Sequence, residues 1–231
     1  GVDARASSLG SQPGAVQLTF DDGNAAGANQ SALEIRVGTS ANATAVDVMS
    51  AANGGNITGA SVAQLTDTED DNYGSGFAKS LAERINTLLH NGVEGLEGVY
   101  ATATTTYNYE DAGIAAANAA EAYVGAGTLE NGDLTINGVN IGPVEVQEKD
   151  ANGALTNAIN AKSSTTGVKA SIDDNGRLVL TADDGRDIVV STADADAADV
   201  LFGGGDSEAL AASDLTDSVK TGELTISARG T

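Results

Sequence analysis

Residues 133–190 read DLTINGVNIGPVEVQEKDANGALTNAINAKSSTTGVKASIDDNGRLVLTADDGRDIVV, and this stretch decides the fold. Leu134 and Ile136, then Val139 and Ile141, alternate on either side of Asn137-Gly138. A period of two marks half-buried strands, and Asn-Gly tolerates the positive φ of a tight bend, so this piece predicts a hairpin. Leu155, Ala158 and Ile159 follow at i, i+3 and i+4. They predict a short helix starting near Asp150 or Asn152, with one narrow apolar stripe laid on a sheet. Val168, Ala170 and Ile172 alternate into Asp173-Asp174-Asn175-Gly176, and Leu178, Val179 and Leu180 return from it. A further bend at Asp183-Asp184-Gly185 leads to Ile188, Val189 and Val190. The sum is a ββαβββ unit.

Three pieces of this stretch, LTINGVNIG (134–142), ALTNAINAKSSTTGVKASI (154–172) and GRLVLTA (176–182), carry a resemblance. In order and spacing they resemble the IN motif of bacterial flagellins and flagellar hook-associated proteins, named for its Ile-Asn pair. The pair stands here as Ile136-Asn137 and again as Ile159-Asn160.

Working outward, the same order of pieces appears upstream. SALEIRVG (31–38) corresponds to GDLTINGV, LAERINTLL (81–89) to LTNAINAKS, and GVYATATTT (98–106) to GVKASI. We read an internal repeat of one supersecondary unit, with extra residues inserted near 39–75 of the first copy. Phe77, Leu81, Ile85, Leu88 and Leu89 share one helical face, and Val99, Ala101 and Ala103 alternate with Tyr100, Thr102 and Thr104 in the strand that follows. Val16, Leu18 and Phe20, then Leu33, Ile35 and Val37, predict two strands that pair, preceded by a polar connector ending at Pro13-Gly14. Within 39–75 so few apolar groups occur that only a short helix near Thr44–Ala51 is predicted.

Asp111–Val124, DAGIAAANAAEAYV, is alanine-rich and predicts a linking helix capped by Asp111. Ala195–Phe202 predicts another short helix, closed by Gly203, Gly204 and Gly205. Leu224 and Ile226 predict a final strand returning to the first ones. The fold class is therefore α+β, mostly antiparallel β with small packed helices, in two related ββαβ-type units. Residues 1–110 form a first outer subdomain, and 111–231 a second one containing the motif at 133–190 and the return strand.

Composition bounds the chemistry. The chain has 231 residues, enough for a real core, but 3% aromatics and no Trp make that core thin and aliphatic. A net charge of −22 repels nucleic acid and anionic membranes, so neither is a partner. Cysteine is absent, which excludes disulfides and thiolate metal sites. No apolar run approaches the roughly 18 to 20 residues of a membrane span, and no secretory signal opens the sequence.

No catalytic, cofactor-binding or metal residues are assigned. His90 is the single histidine, placed where an imidazolium suits a helix C-terminus, and one His without Cys or a G-x-S-x-G elbow makes no triad. Asp21-Asp22, Asp70-Asp71, Asp173-Asp174 and Asp183-Asp184 lack the EF-hand spacing of a Ca²⁺ loop and read as turn chemistry. They also lack the aromatic cleft that glycoside-cleaving carboxylates need. The glycines fit neither a P-loop nor a dinucleotide fingerprint. Asn29, Asn42 and Asn56 open N-x-S/T patterns, and the resemblance implies O-glycosylation for which Thr102–Thr106 and Ser163–Thr166 are candidates, with a paired strand the other use of the first. Tyr100, Tyr107 and Tyr109 are the sole aromatic set for a carbohydrate-binding surface.

The resemblance implies a structural protein rather than an enzyme: the outer, solvent-facing domains of a flagellar filament subunit, supporting motility and forming the antigenic surface. It implies an extracellular place on the bacterial flagellum, export by the flagellar type III system without a cleaved signal, and other subunits as partners through terminal helices not found in this sequence. Antibodies, phage and host surfaces are the external partners it implies. Without those helices the isolated fragment is expected to be a monomer. No HExxH helix is present, which separates the chain from flagellins with a metallopeptidase insertion. The alternatives are a hook-associated or filament-cap domain, an adhesin or carbohydrate-binding module and, last, an enzyme.

Overall fold

A computed structural model describes residues 16–21, 32–37, 45–47, 76–92, 98–204 and 215–228. The chain forms two compact units. One takes the described residues up to Ala103 apart from those of the other unit, together with the strand that begins at Glu223. The other holds Thr104–Gly222. The described chain thus starts and finishes in the same unit.

In the first unit β1 (Val16–Asp21), β2 (Ala32–Val37) and β3 (Ala45–Asp47) make an antiparallel sheet in that order. The pairing of β1 with β2 is the one predicted from alternation, with Val16 opposite Val37 and Phe20 opposite Leu33. The helix predicted near Thr44–Ala51 is corrected, because β3 occupies its start and sets Val46 opposite Ile35. β-Branched residues lose rotamer freedom in a helix and fit a pleated surface better. The remainder of 39–75 lies outside the described residues, as do the turn at Pro13-Gly14, Asp22, Asp70-Asp71 and the N-x-S/T patterns at Asn29, Asn42 and Asn56.

Helix α1 (Phe77–His90) buries Leu81 and Ile85 of the predicted face together with Ala78 and Ala82 beside them, while Leu89 is half-buried. The side chains of Phe77 and Leu88 fall outside the described set. The chain then enters β4 (Val99–Tyr107), whose residues alternate between buried and exposed along their whole length.

The second unit is built from β4 beyond Thr104 and from the segments that follow it. These are β5 (Gly127–Leu129), β6 (Leu134–Ile136), β7 (Val139–Asn140), β8 (Val144–Val146), α2 (Ala154–Ala161), α3 (Ser163–Thr166), β9 (Lys169–Ile172), β10 (Leu178–Ala182), β11 (Ile188–Thr192), α4 (Ala195–Phe202) and β12 (Ser218–Lys220). β10 lies between β4 and β9, with Leu180 opposite Tyr107 on one side and Ala170 on the other. β12, β11, β6 and β7 form a second sheet, in which Val190 faces Ile136, and β5 pairs with β8. All these pairings are antiparallel, so the fold is α+β and mostly antiparallel, as predicted. The β5–β8 ribbon escaped prediction because three residues are too few to display a period.

The inward residues of both sheets meet the helices in one core. Leu134, Ile136, Leu155, Ile159, Val168, Ile188 and Phe202 are each 0% exposed. Each such aliphatic side chain contributes about 1.5–3 kcal/mol by leaving water. The two large aromatics of this core, Tyr107 and Phe202, stand 6.2 Å apart at 42°. Burial pushes the Tyr107 hydroxyl up to about 12, while its 2.6 Å bond to Ser218 Oγ pulls the other way.

The helix predicted over Asp111–Val124 is also corrected. It is a run of turns with one 3₁₀ turn at Ala116–Asn118. Gly113 has φ 88, a left-handed conformation that ends any helix, and the Asp111 carboxylate turns back to accept from Asn108 N–H at 2.9 Å and Lys220 Nζ at 2.8 Å. Tertiary contacts override the modest intrinsic preference of alanine. Helix α4 does form where predicted, capped by Asp194, whose Oδ1 accepts from Ala197 N–H at 2.9 Å. The closing strand, β13 (Glu223–Ala228), has β4 as its hydrogen-bonded neighbour rather than the first strands, and α1 lies against it.

Candidate functional site

The Ile-Asn pairs act as pins. Ile159 on α2 is fully buried, which turns the next residue, Asn160, toward the rim of the sheet. There its Nδ2 donates to Ala170 O at 3.0 Å and its Oδ1 accepts from Ala170 N–H at 2.8 Å. β9 is the outer strand of its sheet, so one side-chain amide satisfies both backbone groups that the free edge exposes at Ala170. An unpaired edge is a template for aggregation, and a covered one is not.

Asn137 pins a different place. It stands at the β6–β7 bend with φ 48, is 5% exposed, donates from Nδ2 to Thr166 O at 2.9 Å and accepts from Val189 N–H at 2.8 Å. It therefore ties the hairpin to β11 and to the end of α3. Asn tolerates that left-handed φ, and its planar amide presents a donor and an acceptor on separate atoms, one for Thr166 and one for Val189. Neutral amides neither titrate nor screen, so these pins hold equally across pH and salt.

Two charged details complete the frame. The Asp150 carboxylate, 6% exposed, accepts from Leu155 N–H at 2.9 Å and Thr156 N–H at 3.0 Å, so it caps α2 from four residues before its start. The Arg186 guanidinium sits over Gly167, where a Cβ would lie 2.2 Å from its central carbon, and donates to Asp184. Gly167, at φ 72, is thus required by both its backbone and its neighbour.

The acidic pairs at 173–174 and 183–184 serve turns. Asp173 Oδ1 accepts from Asn175 N–H at 2.8 Å and Arg177 N–H at 3.0 Å, and Oδ2 takes Arg177 Nε at 2.7 Å. Desolvation, the largest single influence on Asp173, pushes it upward, but these bonds together hold it below the usual carboxylate range. Among the described residues no group of three or more His, Cys, Asp or Glu is placed to hold a metal ion. His90 is exposed at the end of α1. The tyrosine set is not brought together: Tyr107 is fully buried, Tyr100 is 42% exposed on the opposite face of β4, and Tyr109 lies under Arg177, 5.0 Å from ring centre to guanidinium. Thr102, Thr104 and Thr106 face solvent, whereas Thr105 is buried and donates to Arg186 O at 2.6 Å.

Among the described residues a cleft of about 360 Å³ is lined by Gly127, Thr128, Asp133, Asp194, Asp196 and Asp199 among others. Burial, and then the charge of Asp196, raise Asp199, whose Oδ1 has no partner. No helix of the described residues is long and apolar enough to cross a membrane.

Residues 133–184, the pinned frame itself, match the family model described as the flagellin hook IN motif. The segment is similar to that motif over those residues alone. Among curated proteins the chain is 51% identical over 83 residues to Flagellin B of Helicobacter pylori, covering 36% of this chain and 15% of that protein. It is 54% identical over 66 residues to Flagellin A of Helicobacter mustelae, covering 28% and 13%. Flagellin A of Helicobacter pylori is 44% identical over 70 residues, covering 30% and 13%. The chain thus aligns with only a small part of each relative. Ile136-Asn137 and Ile159-Asn160 both lie inside the matched residues, and in this chain each pairs a buried Ile with a bridging Asn.

Proposed function

We propose that this chain is an outer, solvent-facing part of a flagellin, a structural subunit of the bacterial flagellar filament, and not an enzyme. The observation that carries the reading is the IN motif at 133–184, joined to relatives that are themselves flagellins. The topology suits it: β1 and β13 belong to one unit, so the described chain enters and leaves through the same unit. A frame held by neutral amides and aliphatic contacts keeps its shape while it adds bulk and drag outside a rotating filament. Its net charge of −22 makes neighbouring filaments repel and stay dispersed. Other subunits are its partners through parts of the protein outside this sequence; antibodies, phage and host surfaces meet its exposed face. Export by the flagellar apparatus places it outside the cell.

The description of the family model also names the hook, which keeps a hook-associated or cap protein as the second reading. Filaments of the full-length parent protein, labelled with antibody raised against this chain and imaged by electron microscopy, separate the two. Label along the whole shaft at the outer radius supports the filament reading. Label confined to the tip or the hook junction transfers it to the second, and filaments without label overturn both.

A further inference from the structure

The pin that Asn160 sets on Ala170 has a counterpart in the other unit, where Asn86 holds Ala101. Leu81 and Ile85 of α1 are spaced as Leu155 and Ile159 of α2, and none of the four is more than 1% exposed. Asn86, next after Ile85, donates from Nδ2 to Ala101 O at 2.7 Å and accepts from Ala101 N–H at 2.9 Å. That is the bidentate pin of Asn160 on Ala170, repeated atom for atom. Each pinned strand opens the same way: Gly98 at φ 76 before the fully buried Val99, and Gly167 at φ 72 before the fully buried Val168.

The copies differ in what comes next. After β9 the chain turns at once through Asp173–Gly176 and returns as β10, Gly-Arg-Leu-Val-Leu-Thr-Ala over 176–182. After the pinned part of β4 the whole second unit intervenes, and the hydrogen-bonded neighbour of β4 is then β13. Its approach and body, 222–228, read Gly-Glu-Leu-Thr-Ile-Ser-Ala. Glycine, the two aliphatic residues, the hydroxyl residue and the alanine keep their spacing. We infer that β13 is the counterpart of β10, so that Thr104–Gly222 occupies the last β-turn of a first IN-type unit whose final strand is supplied from beyond the insert.

The inference goes beyond the proposed function and does not depend on it. It makes the β4-to-β13 connection a port that carries a complete domain, and it makes Glu223–Ala228 part of the copy built on Asn86 rather than of the motif nearer in sequence. Amide hydrogen exchange on the full chain tests this with Asn86→Ala and Asn160→Ala. Losing a hydrogen bond of ordinary net strength speeds local exchange about tenfold. Asn86→Ala is expected to do so at 99–103 and at 223–228, leaving 169–172 and 178–182 unchanged. Asn160→Ala is expected to do the reverse. Leu224→Ala, which keeps both pins, should loosen 99–103 and spare 169–172. Protection at 223–228 that follows Asn160→Ala, or that ignores Asn86→Ala, overturns the inference, as does a Leu224→Ala chain with 99–103 unaltered.

Discussion

The strand pinned by Asn160 and the strand pinned by Asn86 carry the same local device in unlike surroundings. Ala170 lies in a unit whose next strand arrives after one tight turn, and Leu178 and Leu180 of that strand are each 1% exposed. Beside Ala101 the neighbouring strand comes from far along the chain, and its Leu224 and Ile226 are only half-buried. The pin is therefore independent of how well the sheet behind it is packed. It needs a buried Ile to aim it and a strand residue whose N–H and C=O both turn toward the helix.

The largest expected effect comes from the isoleucines. Ile85→Ala and Ile159→Ala each remove a side chain that is 0% exposed, and such truncations cost about 2–5 kcal/mol. In urea unfolding followed by limited proteolysis, Ile159→Ala should open 104–222 first and Ile85→Ala the other unit first. If both variants loosen the same residues, the two frames are not separate and the comparison collapses.

Next comes Asn137. Removing a buried donor and acceptor at left-handed φ costs about 1–3 kcal/mol, since water does not replace the partners. Asn160 and Asn86 are exposed on the helix surface, where water reaches the strand edge, so their alanine variants should cost about 0.5–1.5 kcal/mol. Thermal unfolding of the three variants ranks them, and an Asn160→Ala loss as large as that of Asn137→Ala would mean that the edge is far drier than its exposure shows.

Much of this frame is legible in sequence. The period-two strands around Asn137-Gly138 and Asp173–Gly176, the i, i+3, i+4 stripe of α2 and the capped α4 all rest on neighbours a few residues apart. The Ile-Asn pairs are visible too, but their partners are not: nothing in the sequence says that Asn160 faces Ala170, or that Asn137 reaches Thr166 and Val189. Asp150 is readable as a helix-start residue, yet its distance from Ala154 hides the cap. Asp111–Val124 misleads because alanine content predicts a helix, while Gly113 and the pull of Lys220 on Asp111 decide otherwise. The tyrosines mislead through numbering, since an odd and an even position on one strand point to opposite faces.

The smallest effect is a pH dependence that the pins themselves lack. Asp199 and Asp187 each hold one buried, unpartnered carboxylate oxygen, and burial raises both, with Asp196 adding to Asp199 and the Gly222 N–H partly relieving Asp187. In the unfolded chain these groups keep the ordinary value of 3.8, so between that value and their raised folded values the native state binds more protons. Stability from these two groups must then increase as pH falls through that window and fade as pH rises out of it. Asp173, held low by Arg177 and the turn, acts in the opposite sense, losing its contribution as acid reaches its lowered value. Melting temperature measured from neutral pH down to the carboxylate range should show Asp199→Asn and Asp187→Asn each more stable than the parent at neutral pH, with the advantage shrinking on acidification. Asp173→Asn should show a deficit that shrinks instead. Asn160 bonds to the Ala170 backbone and to none of these three aspartates, so Asn160→Ala should shift these curves without changing their shape, which separates the amide frame from the charge that surrounds it.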